Sequence, residues 1–282
     1  YNDFKKNKEM IIEPIKTRVD IDLNFNRLSE NEEKTIEKLY KICVYSADIV
    51  IKKLFSILKD LRILNKTYVI ITSDHGEHLG GKLDHHLWEH STYHSLYEGV
   101  LRVPLLIFNP NFKKKKVKEQ VQLKDLFHTI LDLTGISKST LKSFDKKKSI
   151  LYQINNNSTP KYIFGEYLKS KEDTNLIKPY LKNTDKNLLS KIFNDLYFLR
   201  SNTNKYIMFK NLKNEEFYDI AKDPFEQNNI SNLKNEEFNK MKDHLIKKLK
   251  KINNIENLKN LITKKEQQTI INNIKTLKFE GI

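Results

Sequence analysis

The sequence predicts an α/β fold. An apolar stripe at helical spacing ends a few residues before a compact β-branched run, and several short β-prone pieces recur later between polar turns. The 282 residues suit one large α/β unit, or one and a half average domains. With 38% hydrophobic residues the chain can bury a core, although 31% charged residues make it polar for a globular protein.

Residues 1–28 show no clear period and read as an irregular approach. Tyr1 with no basic-then-apolar leader behind it reads as a truncated or processed start. Ser29 with Glu32 fits a capping box. Ile36, Leu39, Cys43, Val50, Leu54, Leu58 and Leu61 then recur at helical spacing, widened by Tyr40, Ala47 and Ile51. They predict an amphipathic helix of roughly 30 residues packed on something apolar. Leu61 to Lys66 is its exit turn, and Tyr68 to Thr72 is a buried strand. Helix followed directly by buried strand is half of a parallel-sheet unit, so Ser73-Asp74-His75-Gly76 falls at the strand's C-terminal end, the edge where open α/β sheets bind ligands.

Residues 77–98 read as one long loop, and Leu105 to Phe108 as a second strand behind Pro104. Lys113 to Gln120 is a solvated turn, and Leu123 to Thr134 a short helix stopped by Gly135. The Lys-, Ser- and Asn-rich stretch 137–160 reads as a connector. Tyr162 to Tyr167, Tyr197 to Arg200, Lys205 to Phe209 and Glu216 to Tyr218 predict a small antiparallel sheet within 161–231. Residues 232–282 read as a Lys/Asn-rich helical tail.

No run of 18 apolar residues exists, so the sequence predicts no transmembrane span. One cysteine, Cys43, excludes an intrachain disulfide framework and leaves the compartment open; it reads as a core thiol. The formal net charge of +15 would suit an anionic partner. Lysine is spread along the whole chain, however, and only Lys113 to Lys116 form a compact knot, so no nucleic-acid role is expected.

Six of the eight histidines lie between residues 75 and 94: His75, His78, His85, His86, His90 and His94. Asp74, Glu77, Asp84 and Glu89 stand among them. Imidazole and carboxylate together suit a divalent metal. Adjacent ligands need a sharp turn to converge, and the strand end followed by Gly76 supplies one. The competing readings are a helix cap for Asp74 and a loop hydrogen-bonder for His75. HGEH lacks the HExxH spacing of zinc proteases.

The run KTYVIITSDHGEHLGG, then DHHLWEH, then LYEGVLRVPLLIFNP, resembles the sulfatase family of the alkaline-phosphatase-like superfamily. LKDLFHTILDLTGI, with His128 where a proline is usual, resembles that family's next helix. IFGEY, FLRSNTNKYI and EEFYDIAKDPFEQNNI resemble its small C-terminal sheet. The match runs in order from about residue 36 to 232. It implies a mixed central sheet flanked by helices, with residues 1–136 as the C-terminal part of the catalytic domain. It implies hydrolysis of a sulfate ester. Asp74 and His75 match the metal positions; the family's commonest ion is calcium, and the imidazole leaves manganese, zinc or iron open. His90, or His94, falls where relatives carry a Lys or His contacting the sulfate oxygens. His85 matches a loop histidine able to protonate a leaving alkoxide. Glu77 is expected to fix the loop rather than to ligate, and Glu98 to pair with Arg102. Trp88 and Tyr93 line the pocket or anchor the loop.

The family's nucleophile motif, Cys/Ser-x-Pro-x-Arg, does not occur in the chain. The expectation is therefore half a metal site, inactive by itself. A phosphodiesterase, phosphonate hydrolase or phosphoglycerol/phosphoethanolamine transferase of the same superfamily is the second reading. A non-catalytic fragment binding an anionic partner is the third. Oligomeric state is not legible.

Overall fold

A computed structural model describes residues 28–90, 96–136, 141–168, 194–210 and 214–252. The chain divides into two units, Tyr1–Asn232 and Leu233–Ile282. The second is helical over 236–252.

In the first unit, helix α1 spans Glu30–Asp60, and the capping box is complete: Glu32 N–H donates to Ser29 Oγ, and the Glu32 carboxylate accepts from Ser29 N–H. Glu30, Glu32 and Glu33 in its first turn complement the helix dipole. The expected apolar stripe is there, but only Ile36 on this helix is buried, against Leu28, with Leu79 and Trp88 beside them. Tyr45 is 66% and Val50 67% exposed, and Leu54 and Leu61 also face solvent. Cys43 is exposed, which corrects the expectation of a core thiol; its face of α1 has no cover among the described residues.

Strand β1 (Val69–Thr72) pairs antiparallel with β4 (Leu105–Phe108), in the register Val69↔Phe108 to Thr72↔Leu105. No parallel neighbour occurs among the described residues, and within β1 only Val69 is buried. The buried parallel strand expected from the VIIT run is thus a half-covered antiparallel one. Thr72 Oγ1 donates to the Pro104 carbonyl at 2.8 Å, and Asn109 Nδ2 donates to the Thr67 carbonyl at 3.0 Å, so both ends of the pair are fastened.

Between these strands lie the hairpin β2 (His78–Leu79) and β3 (Trp88–Glu89), then the one-turn helix α2 (Glu98–Leu101). Helix α3 is Leu126–Leu133, and Gly135, at φ +73, ends it in the left-handed conformation that glycine adopts freely. The stretch expected to be a connector holds helix α4, Ile150–Asn155. Ile150 N–H donates to Thr129 Oγ1 at 2.9 Å, and both residues are fully buried, so this segment packs on α3.

Strands β5 (Ile163–Tyr167), β6 (Leu196–Arg200), β7 (Asn204–Phe209) and β8 (Glu215–Asp219) form an antiparallel sheet in sequential order. Its alternating side chains build the main core: Ile163, Leu196, Phe198, Ile207, Phe209 and Tyr218. Leu96, Tyr97 and Leu101, from the far end of the histidine loop, pack on that core. No helix among the described residues is long and apolar enough to cross a membrane.

Candidate functional site

The chain turns sharply where β1 ends. Gly76 N–H donates to the Val100 carbonyl at 2.7 Å, and a Cβ on Gly76 would overlap the Gly99 carbonyl oxygen. That close approach of two backbones requires glycine. Gly76→Ala is therefore expected to cost about 1–3 kcal/mol, as overpacking does, and to weaken metal binding by shifting the turn. Denaturant melts and a metal titration of the same variant measure both effects.

The turn brings three of the expected residues together. His75 Nε2 lies 3.8 Å from Asp74 Oδ2, and the His75 and His90 rings meet at 4.3 Å between centroids. Asp74 Oδ1 accepts from His75 N–H at 3.0 Å. That backbone hydrogen bond, then one within Asp74 itself and then the charge of His75, hold the Asp74 carboxyl below the usual carboxylate range. His75 Nδ1 is 2.8 Å from the Gly76 carbonyl, which favours a proton on Nδ1 and leaves Nε2 as the acceptor that a metal could use. His75, Glu77 and His90 each offer a ligand atom, and these atoms lie within 4.8 Å of one another. Asp74 stands outside that group.

His85 has other partners. It stacks on Tyr97 at 3.9 Å, and its Nε2 donates to the Phe225 carbonyl at 3.1 Å. Burial depresses its pKa, against the opposing charge of Glu216, so the neutral ring prevails at pH 7. His85 and His86 both have positive φ, 56° and 60°, a conformation costly for residues with a Cβ and held here by the hairpin around them. Asp84 closes that hairpin, accepting from Leu79 N–H at 2.8 Å and lying 3.4 Å from His78 Nδ1. His94 and Tyr93 lie outside the described residues.

Sequence reasoning missed the node that fastens the loop to the small sheet. Glu98 does not pair with Arg102, which is exposed; it receives a fork from Arg200, with Nε at 3.0 Å and Nη2 at 2.9 Å. Lys205, fully buried, sits 3.3 Å from Glu98 and 2.8 Å from Glu226. Glu226 in turn accepts from Glu98 N–H at 2.6 Å. Burial raises the Glu98 carboxyl, but the Arg200 hydrogen bonds and the charges of Lys205 and Arg200 outweigh it, and the net shift is downward. Glu226 has no such fork, and burial pushes it upward. Beside this node, the Tyr97 and Tyr218 hydroxyls both donate to Glu216 Oε2 at 3.0 Å. Burial first, and then the Glu216 charge, push both phenols upward. The partners of Glu98 lie about a hundred residues away, beyond the reach of local spacing.

An implied metal fits these residues on two grounds. The donor set is imidazole and carboxylate, and Glu77 Oε1 is buried with no hydrogen-bond partner among the described residues. A cation would satisfy that oxygen.

Residues 24–136 match the sulfatase family model. A sulfatase from Formosa agariphila is 28% identical over 208 residues, spanning 73% of this chain and 34% of that protein. Mouse arylsulfatase K is 35% identical over 114 residues, 39% of this chain and 19% of that one. The chain thus spans about a third or less of these curated relatives. Among solved structures, the Bacteroides fragilis protein yidJ, assigned as a sulfatase, superposes with a TM-score of 0.58 at 18% identity, covering 90% of this chain and 50% of that one. That likeness bears on the fold alone, and it agrees with the α/β reading. Over residues 24–136, the chain is similar to the sulfatase family.

Proposed function

We propose that the chain carries part of the metal site of a sulfate-ester hydrolase. The observation supporting this most directly is the meeting of Asp74 and His75 at the end of β1, with the His90 ring laid against His75. A bound divalent cation would draw charge from the sulfate oxygens. In this reading Asp74 and His75 hold the cation, and calcium, manganese, zinc and iron are the candidate ions. His90 donates a hydrogen bond to an oxygen on which charge grows during attack at sulfur. His94 stands as the alternative for that contact. His85 supplies the proton to the leaving alkoxide; its depressed pKa makes the charged ring a ready donor that is sparsely populated at neutral pH. The Glu98 node holds the far end of the loop, so His85 and Tyr97 keep their stacked geometry. The nucleophile lies outside these residues, since no Cys/Ser-x-Pro-x-Arg motif occurs among the 282.

The test compares an aryl sulfate with an aryl phosphate and an aryl phosphonate, using a protein that carries this chain joined to its nucleophile segment. Sulfate turnover that falls with chelator and with Asp74→Ala is the expected result. Preferential phosphonate or phosphate turnover would give the site to the phosphoryl-transferring relatives. The 282 residues alone are expected to bind metal and turn over no sulfate, and clear turnover by them would end the half-site reading.

A further inference from the structure

The turn that follows β8 grips the histidine loop at three points. The Phe225 carbonyl accepts from His85 Nε2 at 3.1 Å. Gln227 Nε2 donates to the Leu83 carbonyl at 3.3 Å, and to the same Phe225 carbonyl at 3.0 Å. Both partners of Gln227 are carbonyls, which only accept, so its amide nitrogen is the end that faces them. Glu226 accepts from Glu98 N–H at the far end of the loop. The turn itself is braced. Asp223 accepts from the Gln227 and Asn228 N–H groups at 3.0 and 2.8 Å, and Asn229 Oδ1 accepts from Phe217 N–H of β8 at 3.0 Å. Glu226 has φ +56, in the left-handed region, and its side chain is buried.

These contacts fix how the His85 ring is presented. A carbonyl oxygen cannot donate, so Nε2 carries a hydrogen in both the neutral and the charged ring. Nδ1 has no hydrogen-bond partner among the described residues, so it is the nitrogen that gains and loses a proton. Tyr97, stacked at 3.9 Å and 9°, holds the plane of the ring, and the Phe225 carbonyl holds its rotation within that plane. We propose that Gln227 is a positioning residue for His85, tying the loop to the Phe225 carbonyl so that His85 acts through Nδ1. The proposal rests on the reading of His85 as the proton donor. In the charged ring the Nδ1–H bond breaks, and its proton passes to the leaving alkoxide oxygen as the S–O bond to that oxygen breaks. The neutral ring keeps its Nε2 hydrogen on Phe225, and a proton from water restores Nδ1–H.

Gln227→Met keeps the length of the side chain and removes its donor. It leaves Glu216, His78 and Asp84, whose charges act on the ring, in place. NMR of the 282-residue chain with ¹⁵N-labelled imidazoles tests the positioning. His85→Asn, a residue that tolerates the left-handed φ of 56° found there, assigns the signal. The wild-type chain is expected to show a slowly exchanging Nε2–H proton and a titration confined to Nδ1. In Gln227→Met that proton is expected to exchange about tenfold faster, the equivalent of one neutral hydrogen bond. The Gly80 amide, bonded to the Leu87 carbonyl in the same loop, is expected to keep its protection. Equal Nε2–H exchange in the two chains, or a titration at Nε2, would overturn the proposal. Faster exchange at Gly80 as well would make Gln227 a structural residue only, and would also overturn it. A second arm uses the protein joined to its nucleophile segment, because losing a proton donor falls hardest on poor leaving groups. Gln227→Met and His85→Asn are each expected to slow an alkyl sulfate about tenfold or more relative to a nitrophenyl sulfate, at similar KM. That contrast in His85→Asn alone would overturn the role of Gln227. If His85→Asn slowed both sulfates equally, the proton-donor reading would fall, and the exchange measurement would still decide the positioning.

Discussion

Lys205→Met is expected to destabilise the first unit by about 3–5 kcal/mol, the loss typical when one partner of a buried ion pair is removed. Lys205 is wholly buried between Glu98 and Glu226, at 3.3 Å and 2.8 Å. Glu98 would keep its fork from Arg200, so Glu226 becomes the orphan. The deficit should depend on pH. Glu226 already has its pKa raised above the ordinary value of 4.5 by burial, against the pull of Lys205. A raised carboxyl contributes stability that is fully present below its unfolded pKa and lost as pH rises through its folded one. Without the lysine that pKa climbs further, so the variant's deficit grows from pH 4.5 upward. Glu98 has the opposite sign, and its contribution is lost as pH falls below 4.5. Urea melts at pH 5 and pH 8 would check this; equal deficits at the two pH values would show that Glu226 does not carry the loss.

His75→Ala is expected to lower divalent-metal affinity by more than about 100-fold, because even groups that only support a ligand are worth 10–100-fold. His75 belongs to both the pair with Asp74 and the group with Glu77 and His90. The fold should survive, since the ring is partly exposed and its removal costs the turn chiefly one hydrogen bond, to the Gly76 carbonyl. Titration with Mn²⁺ or Zn²⁺ at pH 7.5 measures the loss. An unchanged affinity would place the metal elsewhere.

Local features with strong signals were legible in the sequence. Ser29 and Glu32 announced the start of α1, the VIIT run announced β1, and the four β-prone pieces became β5 to β8. The cluster of His75 and His90 beside Asp74 was also visible, because those residues lie within one loop. The hairpin register was not, since strands of two residues carry no alternation to read. Helix α4 hid behind a Lys- and Asn-rich composition; what fixes it is the burial of Ile150 on Thr129, a tertiary contact. The same limit misassigned Glu98, whose cations lie on β6 and β7.

The bare ribbon of α1 makes the chain adhesive. Its 31 residues run about 46 Å and carry exposed Tyr45, Val50 and Leu54, with exposed Leu61 just past the end. Among the described residues β1 and β4 each have a single ladder neighbour, so their outer rims add tracks where a stray strand could stick. Mutual repulsion from a formal charge of +15 is what opposes this clumping. Salt shortens the reach of that repulsion to about 8 Å at 0.15 M, so a dilute, low-salt buffer is the natural medium for keeping molecules apart.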